Sequence, residues 1–175
     1  LWAAVSRLPA GPEKGPPFER QYLLSKTAWT TRGNTFNDSV AEKGYILKIL
    51  LADDSGIIRQ RVRRMLLERV GNADIYESAS IEDTMRQIRH HSPDVIVLDL
   101  RLPDGSGLEV LQPAKAQLPE STIIVFTNYP FPQYQKKCVS LGADYFFDKS
   151  TDAEMLTEQI GALFAEEGGS AKPHK

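Results

Sequence analysis

The sequence predicts an α/β fold, a doubly wound parallel sheet of five strands in (βα)5 order. Three observations predict it. Five strand-like stretches are spaced along residues 46–147, with helical stretches between them. Four of them are short apolar runs without alternation, as expected of strands covered on both faces. Four of them stop at polar side chains: Asp53 and Asp54 after ILKILLA, Asp99 after PDVIVL, Thr127 after STIIVF and Lys149 after ADYFFD. In open α/β sheets ligands bind beyond the carboxyl ends of the strands. Three carboxylates, a hydroxyl and an ammonium should therefore converge on one pocket.

The strands are expected near 46–52, 73–77, 94–99, 122–126 and 144–147. The first helix carries Ile58, Val62, Met65, Leu66 and Val70 on one stripe, and Arg59, Arg61, Arg63, Arg64 and Arg69 give it a basic exposed side. The second opens with Ser80 three residues before Asp83, a capping-box pattern, and keeps Ile81, Met85 and Ile88 in register. Pro113 falls inside the third, Leu108 to Leu118, where a missing backbone donor should kink or shorten it. Pro130 and Pro132 suit the start of a fourth helix over about 131–141. The last opens at Thr151 with Glu154 three residues on, and turns Leu156, Ile160, Leu163 and Phe164 inward.

At 175 residues and 41% hydrophobic content the chain suits one ordinary domain with extensions. Residues 1–45, with Pro9, Pro12, Pro16 and Pro17 and a Thr/Asn/Gly stretch, are expected to be a disordered or loosely ordered extension. The domain is expected over 46–166 and a flexible tail over 167–175. The first methionine, Met65, lies within a predicted helix, so Leu1 need not be where translation starts. A net charge of -2 and a pI near 6.0 offer no footprint for nucleic acid, and no run approaches the length of a membrane span. The single Cys138 excludes an internal disulfide and reads as an inert core thiol. A cytoplasmic location is the expectation.

Asp53, Asp54 and Asp99 would repel one another without a cation among them. Oxygen ligands few in number suit Mg²⁺, which is commonly shared with a phosphate. Thr127 and Lys149 then match the oxygens of a phosphoryl group carried on a carboxylate, so the implied product is an aspartyl phosphate. Each residue alone has a plainer reading: Asp54 or Ser55 as a cap of the first helix, Lys149 as a surface lysine, Thr127 as a strand-end hydroxyl. Their coincidence favours the pocket. Gly105 and Gly107 serve as turn glycines, since the Gly-Lys-Ser/Thr of a phosphate-cradling loop is absent.

The segments LLADDS, DVIVLDLRLPDGSGLEVL, IIVFTN and GADYFFDKS, in that order, resemble the receiver domain of two-component response regulators, the CheY-like (flavodoxin-like) fold. The resemblance implies that Asp99 is the phosphoacceptor and that Asp54, Asp99 and the backbone carbonyl of Arg101 hold Mg²⁺, with Asp53 acting through a metal-bound water. It implies that Thr127 swings toward the phosphoryl group, that Lys149 pairs with that group and with Asp99, and that Phe146 is the switch aromatic coupled to Thr127. It also implies a sensor histidine kinase or histidine phosphotransfer protein as donor, docking beside the first helix. A downstream protein target would be met through the fourth helix, fifth strand and fifth helix. A stand-alone switch is expected rather than an enzyme; a relay intermediate or a phosphorylation-independent interaction module are the alternatives. A hydrolase of the haloacid dehalogenase type would need a second Asp where Arg101 stands. Four positions depart from the family pattern. Asn128 replaces a small residue after Thr127, and Ser150 replaces a proline after Lys149. Arg101 and Tyr129 are bulky where they flank the path to Asp99, and should prolong the life of the acyl phosphate.

Overall fold

A computed structural model describes residues 46–167. The expected extension over 1–45 lies outside the described residues, as does the expected tail apart from Glu167, which ends the last helix. Among the described residues five strands alternate with five helices: β1 Leu47–Ala52, α1 Gly56–Val70, β2 Ala73–Ser78, α2 Ile81–His91, β3 Val95–Leu98, α3 Leu108–Gln117, β4 Thr122–Thr127, α4 Pro132–Ser140, β5 Tyr145–Asp148 and α5 Ala153–Glu167. A two-stranded ribbon, Arg101–Leu102 against Gly105–Ser106, interrupts the passage from β3 to α3.

The sheet is parallel throughout, in the order β2-β1-β3-β4-β5. Side chains alternate across it. One set, Leu47, Ile49, Leu51, Val95, Val97, Ile124, Phe126 and Phe147, packs with Val62, Leu66 and Val70 of α1 and with Leu156, Ile160 and Phe164 of α5. The alternate set, including Leu50, Ile96, Ile123, Val125 and Phe146, is equally buried, and on that side α2 packs on α3. Coverage of both faces explains why β1, β3, β4 and β5 read as apolar runs, whereas the edge strand β2 is only partly buried and carries Asp74 and Glu77. Each fully buried aliphatic side chain stabilises the fold by about 1.5–3 kcal/mol.

The helix boundaries show which local signals operate. Ser55 caps α1, its hydroxyl accepting from Ile58 N at 3.4 Å, which leaves Asp54 without that duty. Ser80 caps α2, accepting from Asp83 N at 3.2 Å. The Asp83 carboxylate accepts from Arg86 and Gln87 rather than completing the box. At α5 the expectation shifts by one residue: the helix starts at Ala153, and Asp152, whose carbonyl accepts from Leu156 N, stands where Thr151 was expected. Leu163 is only half-buried. Pro113 does not end α3, which continues to Gln117 with the proline on its exposed side.

At the amino end of the sheet, acidic side chains are occupied by strand amides: Asp94 accepts from Lys48 N and Asp144 from Ile123 N, each at 2.8 Å. The carboxyl end is different.

Candidate functional site

The chain leaves β1 for the edge strand β2 and returns on the other side as β3, which opens a crevice beyond the ends of β1 and β3. Register places the first residues after these strands together. Ala52 pairs with Leu98, and Asp99 N donates to Ala52 O at 2.8 Å. Asp53 N donates to Ser78 O at 3.1 Å, which holds the Asp53–Asp54 loop against the end of β2. From the other side, Thr127 pairs with Asp148 and its carbonyl accepts from Lys149 N at 3.0 Å. The five polar residues expected from the sequence therefore lie at one end of the sheet.

The Lys149 ammonium bridges two carboxylates, 2.6 Å from Asp53 Oδ2 and 2.6 Å from Asp99 Oδ2. All three side chains are almost fully buried, at 4% exposure for Lys149 and 8% for each aspartate. Asp53 Oδ1 accepts from Ser55 N at 2.8 Å. Burial pushes the Asp53 carboxyl above the usual carboxylate range, against the opposing pull of Lys149 and the Ser55 amide. Asp54 is exposed. Thr127 is fully buried, and its hydroxyl accepts from Tyr129 N at 3.4 Å. Phe146, on β5 opposite Val125, is buried at 4% exposure.

The charge balance is incomplete. Asp53 and Asp99 set two negative charges against one ammonium, and Asp54 adds a third. Asp99 Oδ1 is buried without a hydrogen-bond partner, a costly condition for a carboxylate oxygen. One oxygen from each of Asp53, Asp54 and Asp99 lies within 4.8 Å of the others. A hard divalent cation would satisfy both the orphaned oxygen and the excess charge, and the all-oxygen donor set suits Mg²⁺. Arg101, two residues beyond Asp99, has its backbone placed by the ribbon, where it pairs with Ser106.

Sequence reading missed Arg59. Its guanidinium donates to the Asp53 carbonyl at 2.6 Å and to Glu77 Oε2 at 2.8 Å, so one member of the basic helix braces the site instead of facing solvent. The only local hint is its place in the first turn of α1. A small cavity adjoining the carboxylates is lined by Arg59 and by apolar Leu51, Ile58, Val62, Val97 and Phe126. That wall strengthens electrostatic interactions beside it. At the rim, Arg101 donates to the Tyr129 hydroxyl at 2.5 Å, and its guanidinium carbon lies 5.0 Å from the ring centroid. Asn128 is exposed beside them, and the bond before Ser150 is trans.

Gly107 is required by this geometry. A Cβ there would collide with the Asp99 carbonyl, since the ribbon's return passes against the acceptor's own backbone. Cys138 is buried in α4, and desolvation pushes its thiol up to about 12.

A family profile described as the response regulator receiver domain matches residues 49–161. The photosynthetic apparatus regulatory protein RegA of Rhodobacter capsulatus is 31% identical over 123 residues, 70% of this chain and 66% of its own. Response regulator GacA of Pseudomonas aeruginosa is 25% identical over 120 residues, 69% of this chain and 56% of its own. The chain spans about half to two thirds of the length of these relatives. Among solved structures, a LuxR-family two-component response regulator from Aurantimonas sp. SI85-9A1 superposes with a TM-score of 0.63 at 30% identity, over 70% of this chain and 87% of that one. A CheY-like receiver domain protein from Methanospirillum hungatei superposes at 0.65 over 71% and 98%; at 22% identity it supports the fold alone.

Proposed function

The chain belongs to the response regulator receiver domain family, and from that membership we propose that it is a phosphorylation-dependent switch with Asp99 as its acceptor. One observation carries the reading: Lys149 holds one oxygen of Asp99 while the other is buried without a partner. That leaves a carboxylate oriented by an ammonium, with an oxygen free for phosphorus or a cation. Asp54, Asp99 and the Arg101 carbonyl would hold Mg²⁺, which when bound neutralises charge on the acceptor and on the phosphoryl oxygens.

The chain's own groups then have defined parts. Asp99 attacks phosphorus, and the bond to the donor's histidine nitrogen breaks. Lys149 exchanges its contact with Asp99 for the oxygens of the arriving group, and its tie to Asp53 keeps the ammonium in place. Thr127 gives up Tyr129 N to donate its hydroxyl to a phosphoryl oxygen. Phe146, on the strand paired with that of Thr127, is buried and needs no hydrogen-bond partner to remain so. The consequence is a changed surface over α4, β5 and α5, through which a downstream protein target would be met.

The donor under this reading is a sensor histidine kinase or a histidine phosphotransfer protein, and the place of action is the cytoplasm. The chain is then a signalling module and not a turnover enzyme. Names such as photosynthetic apparatus regulatory protein describe whole relatives longer than this chain, so that regulatory role stays with them. A stand-alone switch or a relay intermediate is the finer form of the proposal, and transfer of the group back to a phosphotransfer protein separates the two.

Intact mass measured after incubation with Mg²⁺ and acetyl phosphate, on the native chain and on Asp99→Asn, tests the reading. A single phosphoryl adduct that the substitution abolishes is the expected result. No adduct on a native chain that binds Mg²⁺ and is offered a histidine-phosphorylated donor would sink the switch and leave an interaction module.

A further inference from the structure

The passage from Asp99 to α3 is a tight hairpin. Arg101–Leu102 pairs with Gly105–Ser106, and Gly107 N closes the turn on Leu100 O at 2.9 Å. Its tip carries Asp104, which reaches α2: Oδ1 accepts from Ile81 N at 2.7 Å and Oδ2 from Glu82 N at 3.0 Å. A helix begins with amides that lack partners. In α2 the Ser80 hydroxyl takes the Asp83 amide, and a carboxylate from a distant loop takes the other two. Charge and geometry agree, since a helix start favours an anion and the two amides hold the Asp104 carboxyl below its usual range. The tip also lies close against the helix, because a Cβ on Gly105 would stand 2.9 Å from Ile81 Cδ1.

The same turn of α2 supports the opposite side of the site. Thr84 Oγ1 and Ser78 Oγ share a hydrogen bond of 2.9 Å, and the Ser78 carbonyl accepts Asp53 N. The loop of Asp53 and Asp54 and the loop of Arg101 thus rest on one abutment. We propose that Asp104 is a positioning residue of the divalent-cation site, fixing the Arg101 backbone through its clamp on α2. Asp104 is no ligand itself, since it lies outside the cluster of Asp53, Asp54 and Asp99. The inference rests on the proposed reading of Asp54, Asp99 and the Arg101 carbonyl as ligands. Groups that orient the first ligands of a metal commonly change its affinity by about tenfold or more.

Calorimetric titration of the full chain with Mg²⁺ tests it, on the native protein, Asp104→Ala, Asp104→Asn and Ser80→Ala. Asp104→Ala should weaken binding about tenfold. Asp104→Asn should weaken it less, because one oxygen still accepts from an amide. Ser80→Ala removes a cap from the same helix but leaves the clamp, and should bind as the native chain does. In Asp104→Ala the Ile81 and Glu82 amides should exchange with solvent faster. Native-like affinity in Asp104→Ala overturns the proposal. So does equal weakening in Ser80→Ala, which would mark a helix-stability effect, or equal weakening in Asp104→Asn, which would mark loss of charge alone. Should Asp104→Ala fail to fold, Asp104→Asn against Ser80→Ala makes the same comparison. A native chain that binds no Mg²⁺ refutes the cation reading itself.

Discussion

Replacing Lys149 with Met removes the ammonium that bridges two buried carboxylates and keeps most of its volume. Asp53 and Asp99 are each 8% exposed and the ammonium contacts both at 2.6 Å, so the loss leaves two uncompensated charges side by side. Removing one partner of a buried pair costs about 3–5 kcal/mol. The exposed Asp54 marks the side from which water reaches the site, which favours about 3 kcal/mol, the low end. Urea unfolding in EDTA near neutral pH reads the difference. Mg²⁺ should then recover most of it, because a cation at about 100 times its Kd stabilises by about 2.7 kcal/mol and no ammonium competes in the variant. The pH dependence has a definite sign. Asp53 binds its proton more tightly folded than unfolded, so its contribution is fully present below 3.8 and is lost as pH rises through its raised folded value. In Lys149→Met that upper limit should move higher still, and lowering the pH should narrow the gap to the native chain. A variant within about 1 kcal/mol of the native chain in EDTA would show a pair worth no more than a surface one, and the argument for a buried, cation-seeking site would fail.

Gly107→Ala should destabilise by about 3 kcal/mol, the upper range for overpacking, because the obstacle is the Asp99 backbone carbonyl and not a flexible side chain; urea midpoints measure it, and a neutral outcome would refute the close approach. Tyr129→Phe removes the acceptor that holds Arg101 across the rim. The aspartyl phosphate should then decay about fivefold faster, the rate equivalent of one hydrogen bond of about 1 kcal/mol, and an unchanged or longer lifetime by intact mass would count against the rim as a barrier. Cys138, buried with its thiol near 12, should react with a disulfide reagent only as the protein unfolds. Rapid labelling of the native chain at neutral pH would contradict its burial.

Local pattern sufficed for the apolar strands because they are covered on both sides: VIVL and TIIVF need no knowledge of their neighbours to read as interior. Ser55 and Ser80 act within a few residues of their own helices, so their caps were legible too. Thr151 misled because Asp152 is an equally good residue to precede a helix, and only the fold shows that the chain turns one position later. Asp53, Asp54, Asp99, Thr127 and Lys149 could be brought together in thought because a parallel sheet places every strand's end on one side. Partnerships across the fold were not legible. That Lys149 spans Asp53 as well as Asp99 depends on strand order, and Arg59 reaching the Asp53 carbonyl depends on how α1 lies on the sheet. Asp104 clamping α2 joins residues 22 and 23 positions apart through a hairpin whose tip direction no periodicity encodes.

The two ends of the sheet differ in how their acidic residues are used. Asp94 and Asp144 are committed to strand amides, whereas Asp99 keeps an oxygen without a partner. The connections at the committed end carry no group of the site, and Pro119 and Glu120, the two central residues of the turn between α3 and β4, are exposed. That turn is therefore a place to splice in a reporter peptide without disturbing the chemistry. An insertion after Pro119 should leave Mg²⁺ affinity unchanged, whereas one of equal length after Pro103 should abolish it. The domain can be rewired from one end while its other end goes on working.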